Sequence, residues 1–81
     1  MNKQMLEFLN AKIFEYMSVE KLYDSQIIRI VHIAKLLRPY IKEDIKDYTK
    51  KQTYEYLKEN FPILDCFNSA NKQLLVEVLK G

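Results

Sequence analysis

Glycine is absent from the chain until its last residue, Gly81, and this absence limits the folds that the sequence can adopt. Glycine supplies the positive backbone φ angles that tight hairpin turns require. The chain also contains only two prolines among its 81 residues, so residues that interrupt helices are rare. The sequence therefore predicts an all-α protein. The lack of internal glycine also excludes the glycine-rich loops that bind phosphates in nucleotide-binding folds.

Apolar residues recur at helical spacing along most of the chain. A hydrophobic content of 48% and a net charge of +2 favour a folded core over disorder. The isoleucines and valine of residues 27–33 would also suit a strand, but the periods on both sides of this segment favour helix. We predict one helical domain over residues 1–81, a compact bundle of four to five short helices at about 3–17, 25–37, 40–48, 50–60 and 69–80.

Several residues predict where these helices begin and end. Pro39 lacks a backbone donor and is expected to end the second helix, or to kink it. Thr49 and Gln52 have the spacing of a capping box, which predicts a break near Thr49 and a new helix at residue 50. Ser25 and Ser69 are the expected N-caps of the second and last helices. After Pro62, an apolar connector that includes Cys66 is expected to be buried.

The composition excludes several kinds of site. A single histidine and a single cysteine do not make a closed zinc site, and they leave little for nucleophilic catalysis. The apolar stretch 27–41 is short and interrupted by charged residues, so we expect no membrane span. We accordingly expect a non-enzymatic protein with no metal, cofactor or small-molecule substrate. A single unpaired cysteine suits a reducing compartment, so we expect the protein to be cytoplasmic.

The second predicted helix carries an apolar row on the side opposite its main apolar arc. The row consists of Ile28, His32 and Leu36 at i, i+4 and i+8, with Arg29 and Lys35 beside it. Such a row packs against another helix of the same chain or contacts a partner. The leading hypothesis is a small helical interaction or regulatory protein that uses this row to bind another protein or a second copy of itself.

A lysine-rich segment supports an alternative hypothesis. Predicted helices 40–48 and 50–60, with the turn between them, are similar to a helix-turn-helix outline, although the turn lacks the common glycine. Lysines in the first turn of the second helix would join its free backbone N–H groups in an anion site. The alternative hypothesis is a DNA-binding regulator that contacts DNA through Lys42, Lys46, Lys50, Lys51, Gln52, Thr53 and Lys58. The competing interpretation of the same residues is a helix pair whose lysines are only hydrated. The motif covers a small part of the chain and identifies no family.

Overall fold

The computed structural model describes residues 2–18 and 26–81, and these residues form helices and turns without a strand. The elements in chain order are α1 (Lys3–Ser18), α2 (Gln26–Ile45), α3 (Lys50–Asn60), a short 3-10 helix (Pro62–Cys66) and α4 (Ser69–Lys80). The prediction of a small all-α bundle is confirmed, and α1, α3 and α4 match their predicted ranges within a residue. The expected cap Ser25 lies outside the described residues.

The longest helix, α2, lies between α1 and α4 and packs against both. Helix α4 also packs against α3, and the 3-10 helix contacts α3 and α1. Tyr16, near the end of α1, meets His32, near the start of α2, with ring centroids 6.1 Å apart. Phe8 and Tyr40 line one groove at the other end of the pair, so α1 and α2 run antiparallel. The core includes residues from all five elements: Leu9, Ile13, Ile30, Ile33, Ala34, Leu37, Ile41, Ile45, Leu57, Phe61, Leu64, Phe67, Leu75, Val76 and Leu79.

Helix α2 continues through Pro39 to Ile45, so the predicted break between helices 25–37 and 40–48 is wrong. Pro39 has no N–H to donate to the carbonyl of Lys35. Both residues lie on the exposed side of α2, so water can hydrogen-bond to that carbonyl instead. Beyond the proline, Ile41 is 0% exposed and Ile45 is 3% exposed. Burial of these two side chains stabilises the helical continuation more than the missing hydrogen bond destabilises it.

The predicted break near Thr49 is confirmed. The Thr49 hydroxyl accepts a hydrogen bond from the backbone N–H of Gln52 at 3.1 Å, and the Gln52 side-chain oxygen accepts one from the Thr49 N–H at 2.8 Å. Thr49 has extended backbone angles, φ −69° and ψ 168°, as an N-cap requires. This reciprocal capping box satisfies two backbone donors and begins α3 at Lys50.

The connector after Pro62 forms the 3-10 helix and enters the core as expected, with Leu64 and Phe67 buried. Cys66 was expected to be buried, but it is exposed. Its thiol donates to the carbonyl of Ile63 at 3.0 Å. A turn of 3-10 helix has three residues, so Cys66 and Ile63 lie on one side while Leu64 and Phe67 share the inward side.

The N-cap of α4 and the exposure of Ile27 also differ from what the sequence predicts. The N-cap of α4 is Asn68 rather than Ser69, because the Asn68 side chain accepts from the N–H of Asn71 at 2.8 Å. Asparagine is at least as good an N-cap as serine, so sequence alone does not separate these neighbours. Helical spacing places Ile27 on the same side of α2 as the buried residues Ile30 and Ala34, but Ile27 is 60% exposed.

Candidate functional site

The predicted row on α2 passes from solvent into the contact between α1 and α2. Ile28 is 45% exposed. His32 is half-buried and its ring meets that of Tyr16 at an angle of 54°. Leu36 is half-buried and packs against the core. The row is therefore partly internal, and Ile28 is its most exposed member.

Two aromatic residues outside the predicted row extend it. Tyr40 occupies the next i+4 position after Leu36 and is 43% exposed. Phe8 of α1 is 47% exposed and lines, with Met5 and Tyr40, a groove of about 390 Å³. We define the α1–α2 surface as this set of residues: Phe8, Tyr16, Ile28, His32, Leu36 and Tyr40. Its i+4 spacing would have identified Tyr40 if Pro39 had not been expected to end the helix.

Charged side chains border the α1–α2 surface. Arg29 and Lys35 each lie about 60° around α2 from His32, on opposite sides. Arg29 is half-buried, and within residues 2–18 and 26–81 its Nε atom has no hydrogen-bond partner. Lys35 is exposed. On α1, the ammonium group of Lys12 lies 5.8 Å from the ring centroid of Phe8, so a cation stacks at the edge of the aromatic groove.

The structure gives Gln52 and Thr53 of the proposed DNA contact a role within α3. The Gln52 side chain completes the capping box, and Thr53 is 0% exposed. The Thr53 hydroxyl donates to the Thr49 carbonyl at 2.9 Å. The buried Thr53 hydroxyl is therefore not presented to the edge of a base, and the Gln52 side-chain oxygen is already occupied by the Thr49 N–H.

The remaining α3 lysines lie among acids. Lys50 forms an exposed ion pair with Glu77 of α4 at 2.9 Å. Lys51 and Lys58 are exposed, and Glu55 and Glu59 lie beside them on the outer side of α3. An acidic residue between two lysines repels phosphate, so this outer side is a poor fit to the major groove of DNA.

Lys42 and Lys46 lie on a different side of the molecule, with two cations that the sequence analysis did not assign. Both line a groove of about 270 Å³ between α2 and α4, together with Arg38 and Lys80. The Arg38 guanidinium donates to the carbonyl of Val78, and the Lys80 ammonium donates to the carbonyl of Ile45 at 2.8 Å. The structure therefore separates the predicted lysine set into an α2 group and an α3 group.

Tyr56 connects the end of α2 to α3. Its hydroxyl donates to a carboxylate oxygen of Asp44 at 2.8 Å, and its ring lies 6.0 Å from that of Tyr48. Partial burial, followed by the hydrogen bond to Asp44, raises the pKa of the Tyr56 hydroxyl above its ordinary value. The Tyr56 hydroxyl therefore remains a hydrogen-bond donor between the helices at a pH where an ordinary tyrosine begins to ionise.

Residues 2–18 and 26–81 contain neither a metal-ligand cluster nor a membrane-spanning helix. No cluster of three or more histidine, cysteine, aspartate or glutamate side chains with the geometry of a metal site occurs there. In the same residues, no helix has both the length and the apolar composition needed to cross a bilayer. Comparisons with protein-family models, with curated proteins and with solved structures found no match to the chain.

Proposed function

We propose that this chain is a small, non-enzymatic interaction protein that binds another protein chain, or a second copy of itself, through the α1–α2 surface. One observation carries the proposal. Phe8 and Tyr40, both nearly half exposed, line one groove, and Tyr40 continues along α2 the i+4 spacing of Ile28, His32 and Leu36. Aromatic side chains in a groove are typical of the residues that contribute most to protein–protein binding.

The side chains of the α1–α2 surface are already positioned within the fold. The Tyr16 and His32 rings contact each other, and Leu36 packs against the core. Ordering such side chains on binding costs less entropy than ordering free ones, which favours affinity. The groove of about 390 Å³ is large enough for an apolar side chain of a partner, which would bury the exposed parts of Phe8 and Tyr40.

The experiment compares two equivalent substitutions on α1. Phe8→Glu places a charge in the groove, and Phe14→Glu places the same charge at a residue that is 61% exposed. Phe14 is the matched control because it lies about 120° around α1 from Phe8. We expect Phe8→Glu and Ile28→Glu to abolish the complex while Phe14→Glu retains it.

Sedimentation equilibrium over a range of concentrations reports self-association, and affinity capture from host lysate reports a different partner. Circular dichroism confirms that each variant is folded. A self-association or a captured protein that resists both Phe8→Glu and Ile28→Glu would refute the assignment of this surface. An Ile28→Glu chain that unfolds would show that the row is internal core, and Phe8→Glu then remains the deciding variant.

The proposal assigns no cofactor to the protein and places it in the cytoplasm. Two observations support this assignment. Cys66 is exposed and unpaired, which suits a reducing compartment. The described grooves are lined by ordinary surface side chains, and the raised pKa of Tyr56 is explained by its partial burial and its hydrogen bond to Asp44.

A further inference from the structure

Four cations follow one line along α2. Lys35, Arg38, Lys42 and Lys46 occur at i, i+3, i+7 and i+11, and all four are exposed. At the rise of an α-helix, the line is about 16 Å long. It lies on the side of α2 next to α4, where Arg38 contacts the Val78 carbonyl, and its first residue, Lys35, also borders the α1–α2 surface. We call these four residues together with Lys80 the basic strip.

Part of the basic strip is held in a fixed arrangement. Arg38 and Lys80 each donate a hydrogen bond to a backbone carbonyl of the other helix, and each keeps further N–H donors. Lys35 and Lys42 have no ion-pair partner within residues 2–18 and 26–81. Four of the five cations, Arg38, Lys42, Lys46 and Lys80, line the groove of about 270 Å³, and two of them are already held in place before an anion binds.

The positive charge of the basic strip exceeds the negative charge that the fold places beside it. The ends of α2 and α4 meet here, and each helix C-terminus carries roughly half a negative charge. Glu43 adds one more, in an exposed ion pair with Lys46 at 3.4 Å. Two helix termini and one carboxylate offset about two of the five cations. The excess positive charge is available to an external anion.

We propose that the basic strip binds the phosphate backbone of a nucleic-acid duplex. Three observations favour a duplex over other anionic partners. Lysine is depleted in the cores of protein interfaces, and the strip consists mainly of lysine. No aromatic side chain lines the groove, whereas single-stranded nucleic acid is bound by stacking on aromatics. The apolar side chains of the groove, Ile45 and Leu79, are buried, so a lipid bilayer gains no apolar contact.

The dimensions also suit a duplex. A duplex carries one phosphate per about 1.7 Å of helix axis when both strands are counted, so an axial length of about 16 Å holds more phosphates than the strip has cations. If all five cations each neutralise one phosphate, log K falls with log salt at a slope of about −4.5. This contact reads no bases, so it predicts binding with little dependence on sequence.

The experiment measures fluorescence anisotropy with a labelled DNA duplex of about two helical turns, between low and physiological salt. Lys42→Ala with Lys46→Ala removes two strip charges, and Lys51→Ala with Lys58→Ala removes the same charge from α3. We expect the α2 pair to weaken binding at least about tenfold and to reduce the salt slope by about 1.8. We expect the α3 pair to lose less than about threefold, as a change in net charge alone would.

Each other result overturns the proposal. Equal losses in both pairs would mean that only net charge matters, and a larger loss in the α3 pair would move the contact to the helix-turn-helix face. Absence of duplex binding at low salt would refute it directly. So would equal binding of polyglutamate or of vesicles with an anionic lipid, since either would show that the strip recognises charge without the duplex. Circular dichroism checks that both pairs of variants remain folded.

Discussion

Replacing Pro39 with alanine tests whether α2 is a continuous helix stabilised by its far half. Pro39 lies inside α2 and supplies no N–H for the carbonyl of Lys35. Alanine would restore that hydrogen bond and remove the steric clash of the proline ring. We therefore expect Pro39→Ala to stabilise the protein, although most substitutions in folded chains destabilise.

The magnitude follows from two opposing effects. Proline in a helix interior costs about 3 kcal/mol relative to alanine. Proline also restricts the unfolded chain, and losing that restriction costs about 0.4–1 kcal/mol. The expected net gain is about 2 kcal/mol in the free energy of unfolding. For a domain of this size, that gain raises the melting temperature by roughly 8–16 °C.

Pro62→Ala is the matched control. Pro62 stands at the start of the 3-10 helix, where the missing N–H breaks no helical hydrogen bond. Alanine there only frees the unfolded chain, so we expect a loss of about 0.4–1 kcal/mol. Thermal denaturation followed by circular dichroism measures both variants. A Pro39→Ala protein with an unchanged or lower melting temperature would refute the reasoning that the proline destabilises a continuous α2.

Two further predictions concern the contacts that begin α3 and join it to α2. Thr49→Ala removes one side of the capping box and should lower the free energy of unfolding by about 1 kcal/mol, whereas Thr49→Ser keeps the hydroxyl and should retain most of this stability. Urea denaturation measures both variants, and equal losses would argue against a capping role. The raised pKa of Tyr56 means that the folded state keeps this proton at a pH where the unfolded tyrosine, with a pKa of about 10, loses it. The resulting stability is present below about pH 10 and is lost as pH rises towards the folded pKa. Tyr56→Phe should therefore show a shallower loss of stability than the natural chain in urea titrations above that pH, and parallel curves would contradict this explanation.

Local signals in the sequence predicted the parts of the fold that depend on near neighbours. The apolar spacing predicted α1, whose residues Leu9 and Ile13 are both 0% exposed, and the spacing of Thr49 and Gln52 predicted the start of α3. The helix break predicted at Pro39 is wrong because the local destabilisation of a helix by proline is outweighed by the burial of Ile41, which depends on where other elements lie.

The candidate surfaces were predictable only in part, for the same reason. The row of Ile28 and His32 is a property of one helix, so its spacing was visible in the sequence. The groove between Phe8 and Tyr40 joins residues that are far apart in the chain, and no periodicity relates them. The contact of Lys80 with the Ile45 carbonyl is likewise long-range, so the place of Lys80 beside Lys42 required the structure.

Helix α2 carries the core residues, the row that faces α1 and the line of cations beside α4 on three different sides. Inserting or deleting one residue within it would turn everything beyond that point by about 100° and bring lysines to face the core. The length of α2 is consequently constrained to changes of about one full turn. A change of length in the exposed turn between Ile45 and the Thr49 cap would leave the register of α2 unchanged.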